Sequence, residues 1–362
     1  KPLPARKSEE KVPLIDCFTA PCKGGCPIHQ DIPEYMELVR RGLYGPALKL
    51  ITEKNPLPFL TGTICAHRCQ NKCTRNFYDE SIHIRDAKLV AAAHGYDALM
   101  ASIRPTEKLP GKKAAIIGGG PTGIAAAYFL ARGGVETTIF EREAKLGGVP
   151  RYVIPAFRIS DEAIDKDIAL MMSYGVEVKC GKSAPSVAEL KEMGYTHILL
   201  ATGAWKAGKL DIEGNVQGVI EWMKKEKKQV KPNLSGNIVV VGAGNTAMDA
   251  ARVAKRMGAA SSTIVYRRTK KEMPADEHEL KLAIDEGVYV FKLVLGGPSD
   301  KAGLQRGDII LKADGDEVNS IGDLRAKVSA HKVGDTITLT IDRNNHERTV
   351  DVTLEEMPQD KK

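Results

Sequence analysis

The sequence is poor in aromatic residues and has no long apolar run. Phe, Trp and Tyr make up 5% of the 362 residues, and only 2 residues are Trp. No uninterrupted apolar stretch approaches the ~18 residues that a membrane helix needs, and the opening residues, KPLPARKSEEKVP, contain no apolar segment typical of a secretion signal. These absences argue against a membrane-spanning or secreted protein and predict a cytoplasmic one.

Aromatic residues are also missing where the charge is most basic. The formal net charge is +7, and part of the excess lies in KKEKKQVK, residues 224–231, and in RRTKKE, residues 267–272. Because the first run has no interleaved aromatic side chains to stack on bases, we interpret it as a solvated loop. Nucleic acid is not an expected partner.

Cysteine is scarce outside two short stretches. Of the 7 cysteines, three lie in CFTAPCKGGCP from Cys17, three lie in CAHRCQNKC from Cys65, and Cys180 stands alone in GVEVKCGK. In a reducing cytosol, clustered thiols are better explained by a metal than by disulfides. We interpret Cys180 as a strand residue with no chemistry.

The pattern of residue types along the chain predicts four segments in an α/β multi-domain protein. Residues 1–110 are polar with helical spacing, as in IPEYMELVRRGLYGPALKLI, and carry the cysteine clusters in their loops. Residues 111–205 and 206–288 each contain a strand, a glycine loop and a helix, which predicts two Rossmann-like folds. Residues 289–362 read as short alternating strands with one helix, a small β-rich module.

The first glycine loop has the G-x-G-x-x-G spacing at Gly118, Gly120 and Gly123. The first glycine permits a tight turn, the second lets a pyrophosphate approach the backbone, and the third lets helix pack on strand. Glu141 ends the next strand, where a carboxylate accepts hydrogen bonds from ribose hydroxyls. This combination predicts a nucleotide site.

The second glycine loop has Gly242 and Gly244, with Ala247 at the third position. The added methyl group should slightly widen the approach of helix to strand. In place of an acid, the following strand ends in Arg267 and Arg268, which can bind a 2′-phosphate bidentately, so the loop favours NADPH over NADH. The alternative is a pair of arginines on a solvated strand end.

Two such loops in one chain predict a flavin in the first fold and a nicotinamide in the second, with hydride passing between them. Because the organic chemistry belongs to the cofactors, no side chain is predicted as a catalytic acid, base or nucleophile.

From about Cys17 to Val288 the chain resembles the glutamate synthase small subunit group, which includes the amino-terminal part of dihydropyrimidine dehydrogenase and the FAD/NADPH subunits described as selenate reductase-like. The stretches that carry the resemblance are APCKGGCPIHQDIPEYM, NPLPFLTGTICAHRCQNKC, GGGPTGIAAAYFLARGG, GGVPRYVIPAFRI, ILLATGAW, VVVGAGNTAMDAAR and YRRTKKEMPA.

The resemblance implies an electron path from NADPH through FAD to [4Fe-4S] clusters in the helical domain and onward to a catalytic partner subunit. It also implies that the second nucleotide fold is inserted in the first. It places Gly147 and Gly148 beside the flavin and makes Ala201, Thr202 and Gly203 the crossover between the two folds. Further cofactor-binding residues that it implies are Pro121, Thr122, Arg158, Asn245 and Thr246.

Soft thiolates suit iron, and a cluster of four irons needs about four ligands. By position in the family, Cys17, Cys22 and Cys73 (the Cys17 set) would bind one cluster, and Cys26, Cys65 and Cys69 (the Cys26 set) another. Both sets lack a fourth ligand, because the family's further cysteine aligns with Leu14 and its helical glutamine or glutamate aligns with Lys88. One cluster and two clusters both remain open.

Other ligands and another metal are also open at this point. The candidate substitute ligands are His29, His67 and His83, each of which is also readily explained as a polar surface residue. Zinc is the competing metal, although its usual paired C-x₂-C knuckles are absent.

The carboxyl-terminal part departs from the resemblance. The family's chain returns after the nicotinamide domain to add a last strand to the flavin sheet, whereas here PSDKAGLQRGDII resembles the later part of an HtrA-type PDZ domain. This domain also lacks its expected ligand loop, so peptide capture by strand addition is not favoured. The alternatives to an oxidoreductase are therefore a PDZ-type peptide-binding adaptor and a non-functional chimeric or truncated polypeptide.

Overall fold

The structure is a computed structural model and describes residues 19–104, 106–206, 214–227, 234–266, 272–292, 297–304, 308–318, 321–343 and 346–355. The chain divides into two compact units, residues 1–234 and residues 235–362. Each unit has hydrophobic clusters of its own.

The first part of unit 1 is helical. Its helices are α1 (Pro21–Gly25), α2 (Ile32–Arg40), α3 (Tyr44–Thr52), α4 (Pro58–Ile64), α5 (Arg68–Asn71) and α6 (Ile84–Ser102), with a 3₁₀ turn at Thr74–Phe77. The longest, α6, buries one face at a spacing of three or four residues, as an amphipathic helix should. At Gly95 a Cβ atom would lie 2.4 Å from the Tyr44 carbonyl oxygen, so glycine lets α6 touch the start of α3.

The second part of unit 1 is a parallel sheet with helices. Its elements are β1 (Lys113–Ile117), α7 (Pro121–Arg132), β2 (Glu136–Glu141), α8 (Gly148–Tyr152), α9 (Asp161–Met172), β3 (Glu177–Cys180), α10 (Val187–Glu192), β4 (His197–Leu200) and α11 (Val219–Glu226). The strand order is β3-β2-β1-β4, with every pair parallel. Parallel strands joined by helices form the nucleotide-binding architecture that the glycine loop predicts.

One hydrophobic core joins the two parts of unit 1. Phe59 and Ala92 of the helical part belong to the same cluster as Ile116, Ile124 and Ile139 of the sheet part. The helical part and the first sheet therefore pack as one body.

Strand β4 is an edge of this sheet. Among the described residues it pairs with β1 alone, and its last residue, Leu200, is 67% exposed. Parallel strands are usually covered on both faces, so an exposed leucine here is unusual. Among the described residues, this sheet contains only β3, β2, β1 and β4.

Unit 2 begins with a second parallel sheet. Its elements are β5 (Asn237–Val241), α12 (Asn245–Arg256), β6 (Ser261–Tyr266), α13 (Glu277–Asp285) and β7 (Tyr289–Lys292), in the strand order β5-β6-β7. We expected YVFK of β7 to open the β-rich module, but Tyr289 pairs in parallel register with Thr263 of β6. The reason is that α13 provides the helical crossover that two parallel strands require.

The β-rich module follows as an antiparallel sheet. Its elements are α14 (Pro298–Lys301), β8 (Ile309–Ala313), β9 (Asp316–Glu317), α15 (Ile321–Ala330), β10 (Thr336–Arg343) and β11 (His346–Thr353), in the strand order β11-β10-β8-β9. Arg343 donates two hydrogen bonds of 2.6 Å to the Asp308 carboxylate and one of 2.9 Å to the Gly303 carbonyl. These bonds tie the PSDKAGL turn to β10.

Across all the described residues, no helix has the length and apolar character needed to span a membrane.

Candidate functional site

Packing fixes two of the three glycines in the first glycine loop, residues 118–123. Gly118 has φ +111°, and a Cβ atom there would lie 2.3 Å from the Ala201 carbonyl oxygen. At Gly123 a Cβ atom would lie 1.9 Å from the Gly118 carbonyl oxygen. The turn and the approach of α7 to β1 therefore both require glycine at these positions.

Gly120 is different, because neither its backbone nor its neighbours demand glycine. Its φ is −79°, and a Cβ atom there would find only the Gly148 Cα, at 3.8 Å. Gly120 immediately precedes α7, whose free N–H groups and partial positive charge attract phosphate. The space above Gly120 is thus a cradle that a methyl group would fill, which fits the pyrophosphate of a dinucleotide.

Glu141 ends β2 beside this cradle. It is buried, with Oε2 accepting from the Gly119 N–H at 2.6 Å and Oε1 accepting from the Glu143 N–H at 2.9 Å. A carboxylate offers about four lone-pair sites, so each oxygen keeps accepting capacity for a ribose hydroxyl. These two hydrogen bonds hold the Glu141 carboxylate beside the loop, and its contact with a ribose stays a prediction.

The segment around Gly147 closes the cradle on one side. The Gly147 N–H donates to the Gly119 carbonyl at 2.8 Å. Gly148 has φ +56°, and a Cβ atom on it would lie 2.7 Å from the Gly120 Cα. This close approach requires glycine at position 148.

Residues 201–203, the predicted crossover between the two folds, lie against the first glycine loop on its other side. The Ala201 N–H donates to the Ile117 carbonyl at 2.8 Å, and Thr202 and Gly203 are exposed beyond it. Pro121 and Thr122 form the first turn of α7, with Thr122 exposed. The structure thus brings together the first-loop residues, Glu141, Gly148 and Ala201.

Arg158 lies further along, in the turn between α8 and α9, where its N–H donates to the Pro155 carbonyl at 2.9 Å.

The second glycine loop, residues 242–247, also connects a strand to a helix, and its glycines have more space around them than those of the first loop. Gly242 has φ +133°, and a Cβ atom on it would lie 4.0 Å from the Ala247 methyl group, an ordinary contact. Gly244 again faces space, because its nearest neighbour would be Pro274 at 4.0 Å. The extra methyl group at position 247 is therefore accommodated without loss of the cradle.

A second segment covers this loop. Asn245 Oδ1 accepts from the Asp276 N–H at 3.0 Å, the Ala275 N–H donates to the Ala243 carbonyl at 3.0 Å, and Thr246 is exposed. Arg267 and Arg268 lie outside the described residues, so their predicted contact with a 2′-phosphate stays a prediction.

The described thiols of the helical part lie close enough together for their charges to interact. Cys22 interacts with Cys73 and with Cys26, and Cys69 interacts with Cys65 and Cys26. The division into the Cys17 set and the Cys26 set therefore stays a prediction. Burial raises the pKa of Cys69 to about 11, with a further rise from Cys65. Cys17 lies outside the described residues.

In the described part of the chain, no group of three His, Cys, Asp or Glu side chains is placed to bind a single metal ion. An iron–sulfur cluster instead binds each thiolate at a different iron, so its ligands stand further apart. The donor set of free, partly buried thiols fits such a cluster.

The three histidines do not replace the missing ligands in an obvious way. His29 and His83 are exposed, and His83 pairs with Asp86 at 3.2 Å between Nδ1 and Oδ2. His67 is half-buried, with φ +35°, at the start of α5.

Two buried charged residues near the site were not predicted as functional. Lys88 is 5% exposed, and burial lowers its pKa, against the opposing effect of Cys65 and Cys69. Asp167 of α9 is 1% exposed and accepts from the N–H groups of Phe59 at 3.0 Å and Leu60 at 2.8 Å. Burial raises the pKa of Asp167 to about 7. The sequence gives no signal for Asp167, which sits in an ordinary amphipathic helix, DEAIDKDIALMM.

Three family models match the chain. Residues 112–288 match the pyridine nucleotide-disulphide oxidoreductase family, and residues 7–97 match dihydropyrimidine dehydrogenase domain II with its 4Fe-4S cluster. Residues 264–354 match the PDZ domain, a range that overlaps the oxidoreductase match and includes β7.

Curated relatives match the same region. The chain is 44% identical over 285 residues to the putative oxidoreductase YgfK of Escherichia coli K12, covering 77% of this chain and 28% of that protein. It is 38% identical over 290 residues to the NADPH-Fe(3+) oxidoreductase subunit beta of Geobacter sulfurreducens, covering 76% and 43%. It is 29% identical over 297 residues to the glutamate synthase [NADPH] small chain of Escherichia coli K12, covering 76% and 62%. The chain thus spans less than two thirds of the length of each.

In this chain the iron–sulfur match, residues 7–97, precedes the nucleotide-fold match, residues 112–288. The chain therefore belongs, over residues 7–288, to the oxidoreductase family that includes the glutamate synthase small chain.

Proposed function

We propose that the protein is an electron-transfer subunit that oxidises NADPH and passes the electrons, with FAD and [4Fe-4S] clusters as carriers, to a catalytic partner. The observation that carries the proposal is that the glycine cradle and the thiols lie in one compact unit with a shared core. A rigid connection of this kind keeps two redox centres at a constant separation.

In this proposal the first glycine loop holds FAD. Gly118 and Gly123 shape the turn, Gly120 leaves room for the pyrophosphate, and Glu141 accepts from a ribose hydroxyl. Gly148 limits access to the cradle from one side. The flavin, when bound, supplies the exchange between a two-electron hydride donor and one-electron acceptors.

The second glycine loop would hold NADPH. The room at Gly244 and the free N-terminus of α12 suit the pyrophosphate, and Asn245 ties the loop to the segment at Asp276. Arg267 and Arg268 would select the 2′-phosphate. The names of the Geobacter and glutamate synthase relatives, both of which include NADPH, support this choice.

The Cys26 set and the Cys17 set would each bind a cluster or share one. Relatives named as a subunit or small chain support a larger complex, in which a partner contributes the terminal chemistry. The terminal substrate belongs to that partner.

Cofactor analysis tests the proposal. The full chain, prepared anaerobically, should contain FAD, iron and acid-labile sulfide, with flavin absorption and a broad cluster shoulder. A colourless protein without iron or sulfide after reconstitution would contradict it. Among the described residues β4 has one neighbouring strand, so flavin content also tests whether this four-stranded sheet suffices to hold FAD.

Peptide binding by the β-rich module is the second candidate, supported by the PDZ match over residues 264–354. Against it, the strand at Tyr289 pairs in the second nucleotide sheet instead of the antiparallel sheet. Titration with C-terminal peptides distinguishes the two: specific binding by a protein without cofactors would favour the adaptor.

A further inference from the structure

Lys88 lies on the buried face of α6, within the core that contains the thiols. Ile84, four residues before it, and Ala91, three residues after it, belong to the hydrophobic cluster that includes Cys69 and against which Cys26 packs. Residues three and four apart share one helix face. The buried Lys88 side chain therefore enters the same cluster.

Contacts on both sides of Lys88 hold α6 against the cysteine loop. The Arg85 N–H donates to Gln70 Oε1 at 3.1 Å, and Arg85 Nη1 donates to the Cys65 carbonyl at 3.5 Å. On the other side, a Cβ atom on Gly62 would lie 3.0 Å from the Leu89 Cα. The segment that carries Lys88 is thus fixed between α4 and the loop with Cys65.

No carboxylate among the described residues forms a hydrogen bond or an ion pair with this lysine. Asp167 does interact with the charge of Lys88, but burial raises the pKa of Asp167 to about 7, so this carboxyl group is only partly ionised at neutral pH. A buried ammonium without a partner is costly. Cys65, Cys69 and Cys26 also interact with the Lys88 charge, and as cluster-bound thiolates they would balance it.

We propose that Lys88 is the charge partner of the cluster bound by Cys26, Cys65 and Cys69. Its ammonium donates a hydrogen bond to this cluster and raises the reduction potential, because a positive charge stabilises the more negative reduced state. It is not an iron ligand. This inference rests on the proposed function, since it requires the cluster.

The test is a redox titration followed by electron paramagnetic resonance on the full chain, reconstituted anaerobically with iron and sulfide. Lys88→Met should keep the iron and sulfide content but lower the ratio of reduced to oxidised cluster at a fixed potential at least tenfold, equivalent to about 59 mV for one electron. Lys49→Met is the matched control, because Lys49 is exposed on α3, and it should change the ratio less than twofold. An unshifted potential in a fully loaded Lys88→Met variant would overturn the proposal.

A second measurement applies if Lys88→Met fails to retain the cluster. Pulsed electron paramagnetic resonance of the unsubstituted protein labelled with ¹⁵N-lysine should show a weak nitrogen coupling to the reduced cluster. A strong coupling would make Lys88 a ligand, and no coupling would remove it from the cluster, so either result would overturn the inference. Failure of the unsubstituted protein to take up iron and sulfide would instead overturn the proposed function itself.

Discussion

Gly123→Ala tests how strictly the first glycine loop depends on close packing. The new Cβ atom would lie 1.9 Å from the Gly118 carbonyl oxygen, about 1.5 Å short of an ordinary contact at 3.4 Å. The loop and α7 must separate to relieve this clash, and overpacking of this kind costs ~1–3 kcal/mol. If that cost opposes the binding geometry, the dissociation constant of FAD should rise roughly 5- to 150-fold.

Gly120→Ala is the matched comparison. Its Cβ atom would contact only the Gly148 Cα at 3.8 Å, so the protein without FAD should keep its melting temperature. The methyl group would nevertheless occupy the pyrophosphate position, so FAD should be lost. The assays are the flavin-to-protein ratio after gel filtration and the melting temperature of the flavin-free protein. Unchanged flavin content and melting temperature in Gly123→Ala would refute the packing argument.

Three further predictions concern charge. Burial raises the pKa of Asp167 from 3.8 to about 7. The folded protein therefore keeps this proton up to a higher pH than the unfolded chain does. Because of this, the free energy of unfolding should fall as the pH rises from about 4 to about 7. Asp167→Asn should flatten this fall in urea denaturation, and identical pH profiles would contradict the assignment. Hydrogen bonds from Arg256 and then Arg252 lower the pKa of Glu286 from 4.5 to about 2, so their stabilisation is present above pH 4.5 and lost as pH falls toward 2. Glu286→Gln should therefore destabilise unit 2 at pH 7 by about 1 kcal/mol or less, because water screens this partly exposed group, and the difference should shrink in acid. Replacing Arg267 and Arg268 by glutamate should raise the KM for NADPH more than the KM for NADH, and an equal rise for both would remove the argument for 2′-phosphate selection.

The sequence predicts the glycine loops of the site better than it predicts where one domain ends and the next begins. The two glycine loops could be located from their spacing, because the turn and the helix-to-strand contact impose glycine at Gly118 and Gly123. The place of YVFK at residues 289–292 could not be predicted in this way. A short apolar run suits either kind of sheet, and only the crossover through α13 decides that it joins β6.

Long-range contacts account for the residues that the sequence did not reveal. Asp167 is 108 residues from Phe59, and its hydrogen bond to that N–H exists only once the helical part has packed on the first sheet. The resemblance aligns Lys88 with a position where the family has a cluster ligand. The burial of Lys88 near Cys69, however, follows from the packing of α6. Both cases depend on tertiary contacts, which produce no local pattern in the amino-acid sequence.

An anaerobic titration of the reconstituted full chain with NADPH tests the central claim most directly. The account predicts that substoichiometric NADPH bleaches the flavin bands and the broad cluster absorption together and produces the electron paramagnetic resonance signal of a reduced cluster. A flavin that is reduced while the cluster stays oxidised, or a spectrum unchanged by NADPH, would contradict the claim that electrons pass from NADPH through the flavin to thiol-bound iron.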